Sequence, residues 1–193
     1  MKGRLITVVG DSGAGKDTLL GLVQDRLRED ARYRFVRRFI TRPAETIRHA
    51  GAEDHLPISG TAFREALATG AFALHWEAHG LSYGIPRDIE TDLTEGRVVV
   101  ANLSRTVLEE ANRRYPLLVL LMTAPLALRA ARLAARGRES QEEVARRLGR
   151  TAPLAAGLEV IEIANDGTPE AGAARLLAAL HRASAAAAIS RRA

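Results

Sequence analysis

Residues 10 to 18 place glycines, a lysine and a carboxylate at the spacing of a phosphate-binding loop. Gly10, Gly15 and Lys16 fit the pattern G-x-x-x-x-G-K, in which backbone N–H groups converge on phosphate oxygens and the lysine adds a positive charge. An apolar run at 5–9 precedes the loop and a helical pattern follows it, which is the context that this motif requires. An ordinary glycine-rich turn between strand and helix is the alternative. The residues predicted to bind nucleotide phosphates are Gly10, Asp11, Ser12, Gly13, Ala14, Gly15, Lys16, Asp17 and Thr18.

Asp17 stands where such loops usually carry a serine or threonine hydroxyl for Mg²⁺. Its carboxylate is a hard oxygen ligand of the kind that Mg²⁺ prefers, and Thr18 supplies a hydroxyl one residue later. We predict that Asp17 binds Mg²⁺. The alternative is that Asp17 only stabilises the first turn of the following helix through its negative charge.

A second set of residues could neutralise charge on a phosphoryl group during its transfer. Arg132 and Arg136 are four residues apart on one helical face, and Ser140 with Glu143 forms a capping box before a helix that carries Arg147. Small kinases deliver such arginines on a mobile lid. The alternative is that the segment is a pair of solvent-exposed helices whose arginines only form salt bridges. The predicted catalytic residues are Lys16, Arg132, Arg136 and Arg147, with a lid at about 135–141.

The composition indicates one compact, water-soluble domain over residues 1–193, of which 47% are hydrophobic. No apolar run is long enough to span a bilayer and no export signal begins the chain, so we expect a cytoplasmic protein without a membrane partner. Cysteine is absent, which excludes disulfides and thiolate metal sites. The net charge of +5 comes from arginines spread among acidic residues, so we expect no nucleic-acid partner.

The elements that must position these residues alternate between short apolar runs and helical patterns, which predicts an α/β fold with a parallel sheet. The predicted strands are Arg4 to Val9, Arg34 to Phe39, Arg97 to Ala101, Leu117 to Met122 and Val160 to Ala164. The predicted helices are Lys16 to Glu29, Ser104 to Arg113, Pro125 to Arg136, Ser140 to Arg150 and Pro169 to Ser184. An insert at about 41–85 interrupts the alternation, and inserts of this kind often carry the chemistry.

Several separated motifs resemble the guanylate-kinase group of nucleoside monophosphate kinases. They are GDSGAGKD, FITRP, AEDH, FALHWEAHGLSYGI and RLAARGRES. The resemblance implies a P-loop NTPase fold with a five-stranded parallel sheet flanked by helices, an acceptor-binding insert and a short lid. Within the group, Asp17, the HWEAHGLSYGIP segment and the pair Ser104 and Arg105 resemble the ribose 1,5-bisphosphate phosphokinases. The chain lacks the N-K-x-D and D-x-x-G motifs that a regulatory GTPase would need.

The resemblance also implies where the phosphoryl acceptor binds. Arg42 and Tyr83 match positions that hold the acceptor phosphate in the group, and His55 stands where the group has a tyrosine. The two polar groups that read guanine are replaced by Leu74 and Ile85, which cannot hydrogen-bond a base. The expected acceptor is therefore a phosphorylated small molecule other than GMP.

A small sugar needs polar partners from several directions, and Glu53, Glu77 and His79 are predicted to supply them. Asn165 is expected to border the adenine of ATP, although a plain helix-entry turn explains it equally well. The implied reaction uses ATP and Mg²⁺ to convert ribose 1,5-bisphosphate to 5-phosphoribosyl 1-pyrophosphate and ADP, in phosphonate breakdown. The alternatives are a guanylate or other nucleoside monophosphate kinase and a non-catalytic guanylate-kinase-like binding module.

Overall fold

A computed structural model describes residues 3–42, 55–135, 148 and 153–189, the last four of these without their side chains. Its main sheet has five parallel strands in the order β2-β7-β1-β8-β9. They are β1 (Arg4–Gly10), β2 (Tyr33–Val36), β7 (Val98–Ala101), β8 (Leu117–Thr123) and β9 (Val160–Ala164). The central strands are continuous apolar runs because helices or inserted chain cover both of their faces. The predicted five-stranded parallel sheet is confirmed.

Helices on the two faces bury two separate apolar clusters. Helices α1 (Lys16–Leu27) and α6 (Pro169–Ile189) cover one face, where Leu19, Val23 and Leu176 pack against Ile6 and Val8. The other helices are α2 (Gly60–Ala68), α3 (Ile89–Glu95), α4 (Leu108–Arg114) and α5 (Leu126–Ala135). A short 3₁₀ turn, Arg105–Val107, precedes α4. In the part of the chain that the structure describes, every helix is too short or too polar to cross a membrane.

The insert forms a second sheet of four strands in the order β4-β3-β6-β5, which we call the acceptor sheet. Its strands are β3 (Arg38–Ile40), β4 (His55–Pro57), β5 (Phe72–Ala78) and β6 (Leu81–Pro86). One face carries Ile40, Leu74, Trp76, Tyr83 and Ile85, all buried in one cluster with apolar residues of β1, β7 and α4. This packing fixes the acceptor sheet on the face of the main sheet opposite to α1 and α6.

The predicted strand over 34–39 is wrong in one respect, because it is two strands in two sheets. Val36 pairs with Ala101 in the main sheet, whereas Phe39 pairs with Gly84 in the acceptor sheet. The apolar residues Phe35, Val36 and Phe39 fit a single strand, so the sequence pattern does not reveal the change of sheet at Arg37. Helices α2 and α3 and the strands of the insert were not predicted, and the proposed helix at 140–150 lies outside the described residues apart from Leu148.

Candidate active site

The phosphate loop joins β1 to α1 at the carboxyl edge of the main sheet, the usual ligand-binding edge of such folds. Gly13 and Gly15 adopt left-handed backbone angles, with φ of 82° and 86°. A Cβ at Gly15 would lie 2.4 Å from the Asn165 Nδ2 atom, and one at Gly13 would lie 2.7 Å from the Arg129 carbonyl oxygen. The loop therefore needs glycine at both places, for conformation and for space.

Side chains of α5 and of the turn after β9 brace this loop. Asn165, which is 2% exposed, donates from Nδ2 to the Ala14 carbonyl at 2.7 Å. Arg129 Nε donates to the Ser12 carbonyl at 3.0 Å, and Arg132 Nη1 donates to the Asn165 carbonyl at 3.2 Å. The loop is thus held in shape by groups more than a hundred residues away in the chain.

Asn165 thereby has a structural contact that its sequence position did not suggest. Its side-chain amide is directed to the loop, and a contact with adenine stays a prediction. The neighbouring Asp166 is exposed, and a hydrogen bond from Arg175 at 2.6 Å holds the pKa of its carboxyl below the usual range.

Asp11 lies between two arginines, although sequence reasoning placed it only among the phosphate binders. Its Oδ1 atom accepts from Arg105 Nη2 at 2.9 Å, and its Oδ2 atom is 3.3 Å from Arg129 Nη1. The two guanidinium groups offset the carboxylate, which would otherwise repel phosphate oxygens. Arg129 was missed, and its only sequence signal is that it lies three residues before Arg132 on the same helical face.

Lys16 and Asp17 begin α1 at the mouth of the loop. Lys16 Nζ is 2.6 Å from Asp17 Oδ1, and 40% of the Asp17 side chain is exposed. Within the described ranges no three carboxylate or imidazole groups converge on one point to hold a metal by themselves. A single exposed carboxylate with the neighbouring Thr18 hydroxyl does fit Mg²⁺, which uses one or two carboxylates together with substrate phosphates.

A cleft of about 700 Å³ separates the phosphate loop from the acceptor sheet. The loop lines it with Gly10, Asp11, Ser12 and Lys16, and the opposite wall includes His79 and residues 103–106. His79 and Gly80 form the two-residue turn of the β5–β6 hairpin, both with positive φ, 53° and 72°. The turn brings His79 to the same cleft as Lys16.

The other predicted acceptor residues are distributed over the acceptor sheet. Arg42 lines a second cavity of about 340 Å³ with Thr41 and residues 57–60. His55 and Tyr83 are almost fully buried, 1% and 7% exposed. The Tyr83 ring stacks on Trp76 at 5.3 Å between centroids.

Arg38 places a positive charge beside this aromatic pair. Its guanidinium lies 5.2 Å from the Tyr83 ring centroid and 5.5 Å from that of Trp76. Glu77 is exposed on the face of β5 opposite to Trp76, so the structure does not bring it together with Tyr83. Glu53, Arg136 and Arg147 lie outside the described residues, as does nearly all of the proposed lid.

Comparison with known proteins assigns the family. A relative from Acidiphilium cryptum (strain JF-5), named ribose 1,5-bisphosphate phosphokinase PhnN, is 49% identical over 181 residues, covering 93% of each chain. A protein of the same name from Azotobacter vinelandii (strain DJ / ATCC BAA-1303) is 51% identical, covering 80% of this chain and 82% of its own. One from Brucella melitensis biotype 2 (strain ATCC 23457) is 43% identical, covering 93% of each chain. The chain belongs to the ribose 1,5-bisphosphate phosphokinase family. No family model matches it.

Solved structures confirm the P-loop kinase fold of this ribose 1,5-bisphosphate phosphokinase family member. A guanylate kinase from Anaplasma phagocytophilum superposes with a TM-score of 0.64 at 16% identity, covering 93% of this chain and 84% of that one. A gluconokinase from Sinorhizobium meliloti 1021 gives 0.53 at 17% identity, covering 98% and 97%. At these identities the likeness concerns the fold alone.

Leu74 and Ile85 stand where the sequence resemblance places the two groups that read guanine. They lie directly opposite each other on β5 and β6, and both are fully buried at 0% exposure. Both belong to the apolar cluster beneath the acceptor sheet. Neither position offers a hydrogen-bonding group to a purine base, in agreement with the family assignment.

Proposed function

We propose that this protein transfers the γ-phosphoryl group of ATP to ribose 1,5-bisphosphate, giving 5-phosphoribosyl 1-pyrophosphate and ADP. The observation that carries the proposal is the pairing of a braced phosphate loop bearing Lys16 with an acceptor sheet whose base-reading positions are the buried Leu74 and Ile85. Family membership supports the same acceptor. We also propose that the protein acts in phosphonate breakdown in the cytoplasm, without a nucleic-acid or membrane partner.

The reaction is an in-line displacement at the γ-phosphorus. An oxygen of the acceptor's 1-phosphate forms the new P–O bond while the bond to the β-phosphate bridging oxygen breaks, and ADP leaves. The attacking phosphate is already ionised, so no strong general base is required. Lys16 holds the donor phosphates at the loop, and Arg132 offsets the charge that spreads over the transferring oxygens.

The lid arginines Arg136 and Arg147 are proposed to join Arg132 when the site closes. Closure excludes water, which would otherwise hydrolyse ATP. Asp17 and Thr18 would hold Mg²⁺, and the bound ion would neutralise charge on the donor phosphates.

On the acceptor side, Arg42 and Tyr83 are proposed to bind a phosphate of the sugar, with His55 close by in the same sheet. His79 faces the cleft and is proposed to contact the sugar hydroxyls. Glu53 is kept as a predicted partner. Glu77 is retained only as a weaker candidate, because its side chain is on the opposite face of β5 from the aromatic pair.

Purified protein assayed with ATP and Mg²⁺ tests the function directly. ADP release is measured with ribose 1,5-bisphosphate, GMP and AMP as acceptors, and ³¹P NMR identifies a new pyrophosphate on the sugar. Ribose 1,5-bisphosphate should exceed GMP by at least about a hundredfold in kcat/KM, since buried apolar side chains leave the base unpaired. Lys16→Met is the matched inactive control. Efficient phosphorylation of GMP with ribose 1,5-bisphosphate untouched would refute the proposal, and inactivity with every acceptor would favour a binding module.

A further inference from the structure

The turn that follows β7 lies between the phosphate loop and the acceptor sheet. The Leu103 backbone N–H donates to Thr7 Oγ1 at 3.2 Å, which ties the turn to β1. Leu103 and Val107 are buried in the same cluster as Trp76 and Tyr83 of the acceptor sheet. Arg105, between these two anchors, is therefore fixed at the junction of the donor and acceptor halves of the site.

The two arginines that contact Asp11 have different surroundings. Arg129 is 7% exposed, and its Nε atom donates to the Ser12 carbonyl behind the loop. Arg105 lines the cleft with Lys16 and His79, and its side chain is 20% exposed. Arg129 thus already holds Asp11 from the back, while Arg105 presents its charge to the space where substrates meet.

We propose that Arg105 is a further acceptor-binding and specificity-determining residue, which contacts the phosphate of the acceptor that receives the γ-phosphoryl group. A guanidinium has five N–H donors in a planar fork, so a contact with Asp11 is compatible with one to a phosphate. Asp11 is the positioning residue, because its Oδ1 atom holds the Arg105 guanidinium at 2.9 Å. The inference rests on the proposed function for the identity of the acceptor.

The position of Arg105 favours the acceptor over ATP. The groups that brace the loop from the β8–β9 side are Arg129, Arg132 and Asn165. Arg105 comes instead from the turn after β7, where Leu103 and Val107 are buried with Trp76 and Tyr83 of the acceptor sheet. A phosphate lying between Lys16 and Arg105 would be placed for attack on the γ-phosphorus.

Steady-state kinetics of Arg105→Gln and Arg105→Lys test the assignment. Loss of a charged hydrogen bond should raise the acceptor KM by about tenfold to a hundredfold, while the KM for ATP stays within about threefold. Arg105→Lys should raise the acceptor KM less than Arg105→Gln, because lysine keeps the positive charge but lacks the planar guanidinium. Arg113→Gln is the matched control, since Arg113 is exposed on α4, where it forms an ion pair with Glu109 at 3.0 Å. Thermal unfolding of each variant verifies that it is folded.

A double variant separates substrate binding from neutralisation of Asp11. If Arg105 only balanced the Asp11 charge, Asp11→Asn combined with Arg105→Gln would restore the wild-type acceptor KM. We expect the double variant to keep the raised acceptor KM, and Asp11→Asn alone to show a smaller rise. Restoration in the double variant, an unchanged acceptor KM in Arg105→Gln, or a parallel rise in the KM for ATP would each overturn the assignment.

The two proposals fail in different ways in these measurements. Wild-type turnover of ribose 1,5-bisphosphate reports on the proposed function alone. The ratio of variant to wild-type KM, taken with whichever phosphorylated acceptor the wild type uses, reports on Arg105 alone.

Discussion

Replacement of Asn165 by alanine should damage the phosphate loop without touching any group that contacts phosphate directly. The substitution removes the donor to the Ala14 carbonyl, a 2.7 Å hydrogen bond in a site that is 2% exposed. An unpaired buried carbonyl costs about 1–3 kcal/mol. If the loop keeps its shape, that cost lowers the free energy of unfolding and, for a protein of this size, the Tm by roughly 2–12 °C.

If the loop instead relaxes to satisfy the carbonyl, ATP must restore its shape on binding. The same free energy then appears as a rise of about 5- to 150-fold in the Kd for ATP. Calorimetric titration with ATP and thermal unfolding should therefore be measured together, since the lost free energy can appear in the Kd for ATP or in the Tm.

Asn165→Asp, of equal size but unable to donate a hydrogen bond, should lower the Tm or weaken ATP binding at least as much as Asn165→Ala. Asp166→Asn, at an exposed neighbouring position, is the control and should change little. An Asn165→Ala protein with wild-type Tm and wild-type Kd would refute the bracing role.

Two further substitutions test the chemistry at the loop. Asp17→Asn should raise the Mg²⁺ concentration for half-maximal activity, whereas Asp17→Thr, which restores the usual hydroxyl, should raise it less. An unchanged magnesium titration would mean that Asp17 only stabilises the first turn of α1. Arg132→Ala should lower kcat by about a hundredfold or more with a much smaller effect on the Kd for ATP, because its charge acts chiefly in the transition state. Single-turnover kinetics would measure this directly, and an unaltered rate of phosphoryl transfer would remove Arg132 from the mechanism.

The sequence predicted those parts of the molecule whose signals are local. The phosphate loop, the strand before it and the helix after it follow from a run of fewer than thirty residues, and the parallel sheet follows from the apolar runs. The acceptor sheet was not predicted as a sheet, because β3 and β4 have only three residues each and because pairs such as Phe39 with Gly84 join residues far apart in the sequence. Whether a strand residue such as Glu77 or Trp76 faces the cluster depends on this pairing.

Contacts between distant residues account for what was missed at the site. Asp11 and Arg105 are 94 positions apart, and Asn165 is 151 positions from Ala14. Such pairs are created by the strand order, in which β7 and β8 flank β1 although both follow it by about a hundred residues. Ser104 and Arg105 entered the sequence analysis only as part of the family resemblance, and Arg129 was not predicted.

The strand order also explains how one loop can serve two substrates independently. β1 leads into the phosphate loop, α5 and the turn after β9 carry the side chains that brace it, and the turn after β7 carries Arg105 beside residues that pack against the acceptor sheet. Changes on the β8–β9 side should therefore act first on ATP, and changes on the β7 side first on the acceptor. Asp11 contacts an arginine from each side, Arg129 and Arg105. It is consequently the position at which donor and acceptor binding should be energetically coupled, and where a double-mutant cycle with either arginine would measure that coupling.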